Sequence, residues 1–161
     1  RAVELLLKAR KVEFFGIGAS AMVCMDAEQK FARINHLCGM HIDTHRQFIA
    51  ASLMTPEDVA VIVSNSGTTP EIVRITQLVK EAGAKIIAIS RYGKSFLAEN
   101  ADVALLFSTP EVTIRSGAMG SRIAMLNIID ILFSGVASMD YEHVEPYLNK
   151  TRHIFRDTKD K

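Results

Sequence analysis

Residues 59–90 read VAVIVSNSGTTPEIVRITQLVKEAGAKIIAIS. Two short β-rich apolar runs, 59–64 and 85–90, flank a segment over 70–82 in which Ile72, Val73, Ile75, Thr76 and Val79 return with helical periodicity. Strands buried on both faces read as continuous apolar runs, and a helix between two of them is the crossover of a parallel pair. Runs of the same kind recur as VEFFGI at 12–17, LCGMHI at 37–42 and DVALLF at 102–107, and a second helical pattern covers 21–34. The alternation predicts an α/β fold: a doubly wound, flavodoxin-like, five-stranded parallel sheet with helices on both faces and strand order 2-1-3-4-5.

The chain of 161 residues is long enough to bury a core as one domain, and no repeat or linker divides it, so a single domain over 1–161 is expected. Nineteen basic against eighteen acidic residues leave a formal charge of +1, which excludes the broad positive field of proteins that track nucleic-acid backbones. Cys24 and Cys38 have neither metal-ligand spacing nor the density of a secreted disulfide scaffold, so no metal, no cofactor and a reducing cytoplasm are expected. No signal peptide and no uninterrupted apolar run of about eighteen residues marks a membrane span. RAVELLLKARK at 1–11 begins with Arg1 and reads as a helix already under way, as in a domain cut from a longer protein. Over 116–138 a long helix carries apolar residues, Ile123, Leu126, Ile128, Ile129 and Ile131 among them, around most of its circumference. Such a helix is either central in the core or packed on a second copy as well.

Open parallel sheets bind ligands at the carboxyl ends of their strands. The first such loop, GIGAS at 16–20, has Gly16 and Gly18 for close backbone approach and Ser20 as a helix N-cap. It lacks the third glycine of a dinucleotide fingerprint, because residue 21 is Ala. The second is SNSGTTPE at 64–71. A helix start explains Thr69 and Pro70, and a tight turn explains Gly67, but neither explains Ser64, Asn65, Ser66 and Thr68. Hydroxyl and amide groups beside a positive helix terminus form a cup of donors for an anion, most naturally a phosphate. The loop lacks the Gly-Lys-Ser/Thr ending of a nucleotide P-loop.

GIGAS, SNSGTTPE and the stretch IRSGAMGSRIAMLNIIDILF at 114–133 together resemble the SIS (sugar isomerase) domain. The last, read as Arg115 and Ser116 followed by Ser121, Arg122, Ala124, Leu126 and Asp130, is similar to the effector domain of RpiR-family transcriptional regulators. The resemblance implies that Gly18, Ala19 and Ser20 close one side of a phosphosugar site and that Ser64, Asn65, Ser66, Gly67, Thr68 and Thr69 hold its phosphate. It also implies a homodimer or homotetramer, with DNA contacted only through an N-terminal helix-turn-helix domain.

Aldose–ketose isomerisation requires a base near neutral pKa. The candidates are His45, in the D-x-H-x-Q run of Asp43, His45 and Gln47, and Glu111, with Arg115 four residues on. Both are expected to read the sugar; the alternatives are helix-start packing for His45 and a surface ion pair for Glu111. Some isomerases of the superfamily carry lysine where this chain has Ala19, and none of the histidine–glycine segment of several such enzymes follows residue 138. Phosphosugar sensing in a regulator is therefore the leading expectation. A phosphosugar isomerase or lyase is the alternative, and an oligomerisation module with a merely capped loop is the third.

Overall fold

Residues 1–109 and 119–157 are described by a computed structural model. The order of elements is α1 (Ala2–Lys8), β1 (Val12–Gly16), α2 (Ala19–Ala32), β2 (Cys38–Met40), α3 (Thr44–Ser52), β3 (Val59–Val63), α4 (Pro70–Glu81), β4 (Lys85–Arg91), α5 (Phe96–Asn100), β5 (Val103–Phe107), α6 (Met119–Met139) and α7 (Tyr141–Asp157). The five strands form one parallel sheet in the order β2-β1-β3-β4-β5, as the alternation predicts. β1 and β3 are buried at every position, which is why both read as unbroken apolar runs. β2 is shorter than the apolar run 37–42 suggests: it pairs only over Cys38–Met40, at the sheet edge, and Ile42 beyond it is exposed.

Side chains alternate across the sheet and divide the core into two layers. Val12, Phe14, Val61, Val63 and Ile89 face one layer, where α2 and α6 pack through Val23, Phe31, Met125 and Ile129. Phe15, Ala60, Ile62, Ile86 and Ala88 face the other, where α4 and α5 pack through Ile72, Ile75, Val79 and Leu97. Burial of each of the three α4 side chains is worth about 1.5–3 kcal/mol. Because α2 leaves β1 for one layer and α4 leaves β3 for the other, a crevice opens between the carboxyl ends of these adjacent strands.

α6 starts at Met119 in the described residues; Ser116, Arg115 and Glu111 lie outside them. Its buried stripe is Ser121, Met125, Ile129, Leu132 and Val136, while Ile123 and Ile131 remain 67% and 61% exposed. The surplus apolar face expected from the sequence is therefore present in the folded chain. α6 is the one described helix long and apolar enough to cross a membrane by length and composition, yet it packs on α2 through the core layer and Lys30 joins Asp26 on α2 to Asp130 on α6.

Two buried or half-buried carboxylates tie turns to the sheet. Burial pushes the Asp58 carboxyl up, but Arg10 and the Thr55 N–H and hydroxyl outweigh it and hold it below the ordinary value. Burial likewise raises Asp102, and the Ile86 N–H and Lys85 outweigh it. A carboxyl depressed in the folded state contributes stability that is complete above its unfolded value and lost as pH falls through the folded one. The melting temperature is accordingly expected to be level from about pH 7 to about pH 5 and to fall below about pH 4. A melting temperature unchanged down to about pH 3 in a thermal-denaturation series would contradict this.

Candidate functional site

The crevice at the ends of β1 and β3 contains an open cavity of about 260 Å³. From the β1–α2 loop come Ile17, Ala19 and Ser20; from the β3–α4 loop Ser64, Asn65, Ser66 and Thr69; and from the first turns of α6 Ser121 and Arg122, with Met125 and Ile72 beneath.

The local geometry follows from two glycines. A Cβ on Gly16 would lie 2.9 Å from the Ser20 backbone and 2.8 Å from Cys24 Sγ, so only glycine lets α2 begin this close to the strand end. Gly67 has φ +64°, and a Cβ there would lie 2.8 Å from Ser95 Cβ. The β3–α4 loop is thereby seated on the start of α5, where the Leu97 N–H donates to the Gly67 carbonyl at 3.1 Å.

The hydroxyls of that loop are oriented by the backbone without being exhausted by it. Ser64 Oγ accepts from the Gly67 N–H at 3.1 Å, and Ser66 Oγ accepts from the Thr68 N–H at 3.3 Å while lying 3.3 Å from Thr69 Oγ1. A hydroxyl that accepts from an N–H still has its own O–H to donate. Asn65 Oδ1 is buried with no partner among the described residues.

The helix ends differ in a way that the sequence did not show. α3 is capped by Asp43, whose Oδ1 accepts from the Arg46 N–H at 2.9 Å, and α5 by Ser95, whose Oγ accepts from the Ala98 N–H at 3.2 Å. α4 begins at the cavity with Thr69 in the N-cap position, yet Thr69 makes no side-chain cap bond. Pro70 has no N–H, and the first intrahelical bond is Val73 N–H to the Thr69 carbonyl, so the amides of Glu71 and Ile72 precede the ladder. The positive end of α4 is left open where the cavity lies, and an anion there is favoured by about 0.3–2 kcal/mol from the dipole alone.

Several sequence expectations are redistributed. Ser20 is not the N-cap of α2: Gly18 holds that position, and Ser20 sits buried inside the first turn with its hydroxyl 3.9 Å from Met125 Sδ. Gly18, Gly67 and Thr68 shape the loops but are not in the cavity wall. His45 is exposed on the first turn of α3, its ring edge-on to Phe48, and does not line the cavity of this chain. Of its D-x-H-x-Q run, Asp43 is a helix cap, and buried Gln47 bonds the Gly16 backbone twice, donating from Nε2 to its carbonyl at 3.1 Å and accepting its N–H on Oε1 at 3.3 Å. Glu111 lies outside the described residues.

Ser121 and Arg122 join the cavity without having been singled out as site residues, although both stand in the Ser-Arg pair at the head of the long helix. Arg122 is the only ionisable side chain among the described residues that line the cavity. Neither cysteine offers a thiolate at neutral pH: burial pushes the Cys24 thiol far up, and burial together with Glu28 and Glu13 pushes Cys38 up to about 12.

Residues 5–135 match the model of the SIS domain family. The chain is 46% identical over 154 residues to an uncharacterised HTH-type transcriptional regulator of Caldanaerobacter subterraneus, covering 96% of this chain and 55% of that protein. It is 32% identical over 154 residues to the HTH-type transcriptional regulator RpiR of Escherichia coli, covering 96% of this chain and 52% of that one. The chain thus spans about half the length of these curated relatives. Among solved structures, the Vibrio vulnificus NanR protein complexed with ManNAc-6P shares the fold with a TM-score of 0.88 at 24% identity, over 97% of this chain and 59% of that chain.

Proposed function

The chain belongs to the SIS domain family, and from that premise we propose that it is the phosphosugar-sensing, oligomerising effector domain of a bacterial transcriptional regulator of sugar or amino-sugar metabolism. The observation that carries this reading is the uncapped start of α4 beside the Ser64, Ser66 and Thr69 hydroxyls, facing an open cavity. Donors fixed in place before a ligand arrives suit a phosphate ester, which has only acceptors to offer when fully ionised. Ala19, Ser20 and Asn65 complete the wall, Gly18, Gly67 and Thr68 hold its loops in shape, and His45 and Glu111 are assigned to the sugar from beyond the described wall.

A regulatory role is supported by the relatives, which are named as transcriptional regulators, and by the wall itself, in which no described side chain can shuttle a proton near neutral pH. DNA would be contacted through a helix-turn-helix part outside this single-domain chain, in the cytoplasm and with no membrane. The surplus face of α6, with Ile123 and Ile131 exposed, is assigned to a homodimer or homotetramer. Ligand binding then shifts the arrangement of subunits in favour of the state that binds it more tightly.

Thermal shift and product formation, recorded together with ribose 5-phosphate and with the 6-phosphates of fructose, glucosamine and N-acetylmannosamine, test the proposal. Stabilisation without turnover is expected; turnover would move the chain to the isomerase or lyase reading, and no shift with any of them would leave an oligomerisation module. Ser66→Ala and Thr69→Ala are each expected to weaken the bound phosphosugar by about 1–3 kcal/mol, the cost of a hydrogen bond to a charged group. Because Thr69 makes no cap bond, Thr69→Ala is expected to leave the melting temperature of the free protein unchanged.

A further inference from the structure

Gln47 occupies a place in the sheet that a strand would otherwise take. The Val12 N–H donates to the Leu37 carbonyl at 2.9 Å, so Val12, Phe14 and Gly16, alternate residues of β1, turn their N–H and carbonyl groups toward β2. Pairing of β1 with β2 stops at Phe14 and Met40, whereas its pairing with β3 runs on to Gly16 and Val63. Gly16 thus ends β1 with both backbone groups on the side that β2 has left. There the buried Gln47 amide donates to the Gly16 carbonyl at 3.1 Å and accepts the Gly16 N–H at 3.3 Å. A side-chain amide presents a donor and an acceptor side by side, as a neighbouring strand does. At the level of the cavity, α3 therefore replaces β2.

We infer that Gln47 is a positioning residue for ligand binding: through Gly16 it sets where the β1–α2 loop stands relative to the phosphate cup. This role rests on the phosphosugar reading above and adds to it a residue that acts only through another. Only Ile17 and Gly18 lie between Gly16 and α2. The Ser20 backbone lies 2.9 Å from where a Cβ on Gly16 would stand, which leaves no slack in that turn. A displaced strand end therefore carries Ile17, Ala19 and Ser20 with it, and these form one wall of the cavity. Ser64, Ser66 and Thr69 belong to another wall, held by bonds within their own loop and by its seat on α5. Loss of the Gln47 bonds is expected to weaken a ligand that spans both walls and to spare one that needs only the cup.

Calorimetric titrations well below the melting temperatures compare two probes on each protein: inorganic phosphate, and whichever of the four phosphosugars named above stabilises the wild type most. Gln47→Leu is expected to weaken the phosphosugar by about tenfold or more while leaving inorganic phosphate within about twofold of wild type. Val79→Ala, which opens a cavity in the core near the far end of α4, supplies the control: it is destabilised by packing loss and is expected to keep both affinities. A role confined to stability would lower the melting temperature of both variants and change the ratio of the two affinities in neither. Gln47→Glu, which keeps the acceptor for the Gly16 N–H, is expected to show the same pattern at about threefold or more, and it carries the test if Gln47→Leu does not fold. An unchanged phosphosugar affinity in Gln47→Leu, or in Gln47→Glu where the leucine variant does not fold, would overturn the inference. So would an equal loss of phosphosugar and phosphate, since Gln47 would then act on the cup; the phosphosugar reading would stand. Binding of neither phosphosugar nor phosphate to the wild type would overturn both.

Discussion

Ser66→Asp is expected to abolish phosphosugar binding, with a loss of at least about 100-fold, while leaving the fold in place. Ser66 is exposed on the loop, 3.3 Å from Thr69 Oγ1, and its one backbone bond among the described residues is to accept the Thr68 N–H. Aspartate can accept the same N–H as an Asx turn, so the loop keeps its shape. What changes is charge: a carboxylate occupies the cup in which the phosphate should sit. Like charges about 4 Å apart near a protein surface repel by about 4 kcal/mol, which exceeds the gain of about 0.3–2 kcal/mol from the α4 dipole. Calorimetry with the ligand giving the largest thermal shift measures the loss, and the melting temperature of the free variant reports the fold. An affinity within about tenfold of wild type would mean that the anion does not lie on this loop.

Gln47→Leu is expected to be the most damaging substitution to stability that leaves the apolar core itself untouched. Gln47 is 0% exposed, and its amide closes a pair of bonds with the N–H and carbonyl of Gly16, the last residue of β1. Leucine fills similar space but leaves both backbone groups buried and unpaired, at about 1–3 kcal/mol each. The sum of about 2–6 kcal/mol corresponds to a melting temperature lower by about 4–24 °C for a chain of this size. Gln47→Glu, which retains an acceptor for the Gly16 N–H, is expected to fall between the two. Thermal denaturation decides it: a Gln47→Leu protein melting within about 2 °C of wild type would show that α3 does not hold the end of β1.

The sheet was legible because each of its buried strands, VAVIV at 59–63 being the clearest, carries its whole signal in its own residues. The order of strands followed because the helical patterns at 21–34 and 70–82 mark crossovers of a parallel sheet, and right-handed crossovers leave few arrangements. β2 was overextended because Leu37 and Ile42 read as strand but lie exposed beyond a three-residue edge pairing, which local hydrophobicity cannot reveal. In the site, Ser64, Asn65 and Ser66 were legible as more polar side chains than a turn requires, whereas Thr68, read the same way, lies outside the cavity wall and Thr69, read as a helix start, lines it. Gln47 was quoted within the D-x-H-x-Q run but given no role, for a physical reason: a polar residue one turn into a helix looks the same in sequence whether it meets ligand or backbone, and only the fold brings it to Gly16, 31 positions away. Ser20 was placed at a cap that the backbone turn at Gly18 takes over. Arg122 was quoted within a motif yet not assigned to the cavity, because its approach depends on α6 packing across α2, a contact of high sequence separation. The open end of α4 was invisible for a similar reason: Thr-Pro-Glu predicts a helix start equally well whether the threonine caps the helix or leaves it to a ligand.

The most direct measurement is a titration of the ¹⁵N-labelled chain with the best-stabilising phosphosugar, followed by amide chemical shifts. If the start of α4 binds the phosphate, the amides of Ser66, Gly67, Thr68, Thr69, Glu71 and Ile72 move first and furthest, and inorganic phosphate moves the same set at higher concentration. If those amides stay fixed while others move, or if no phosphosugar and no phosphate shifts them, the open helix end is not an anion site and the sensing role fails with it.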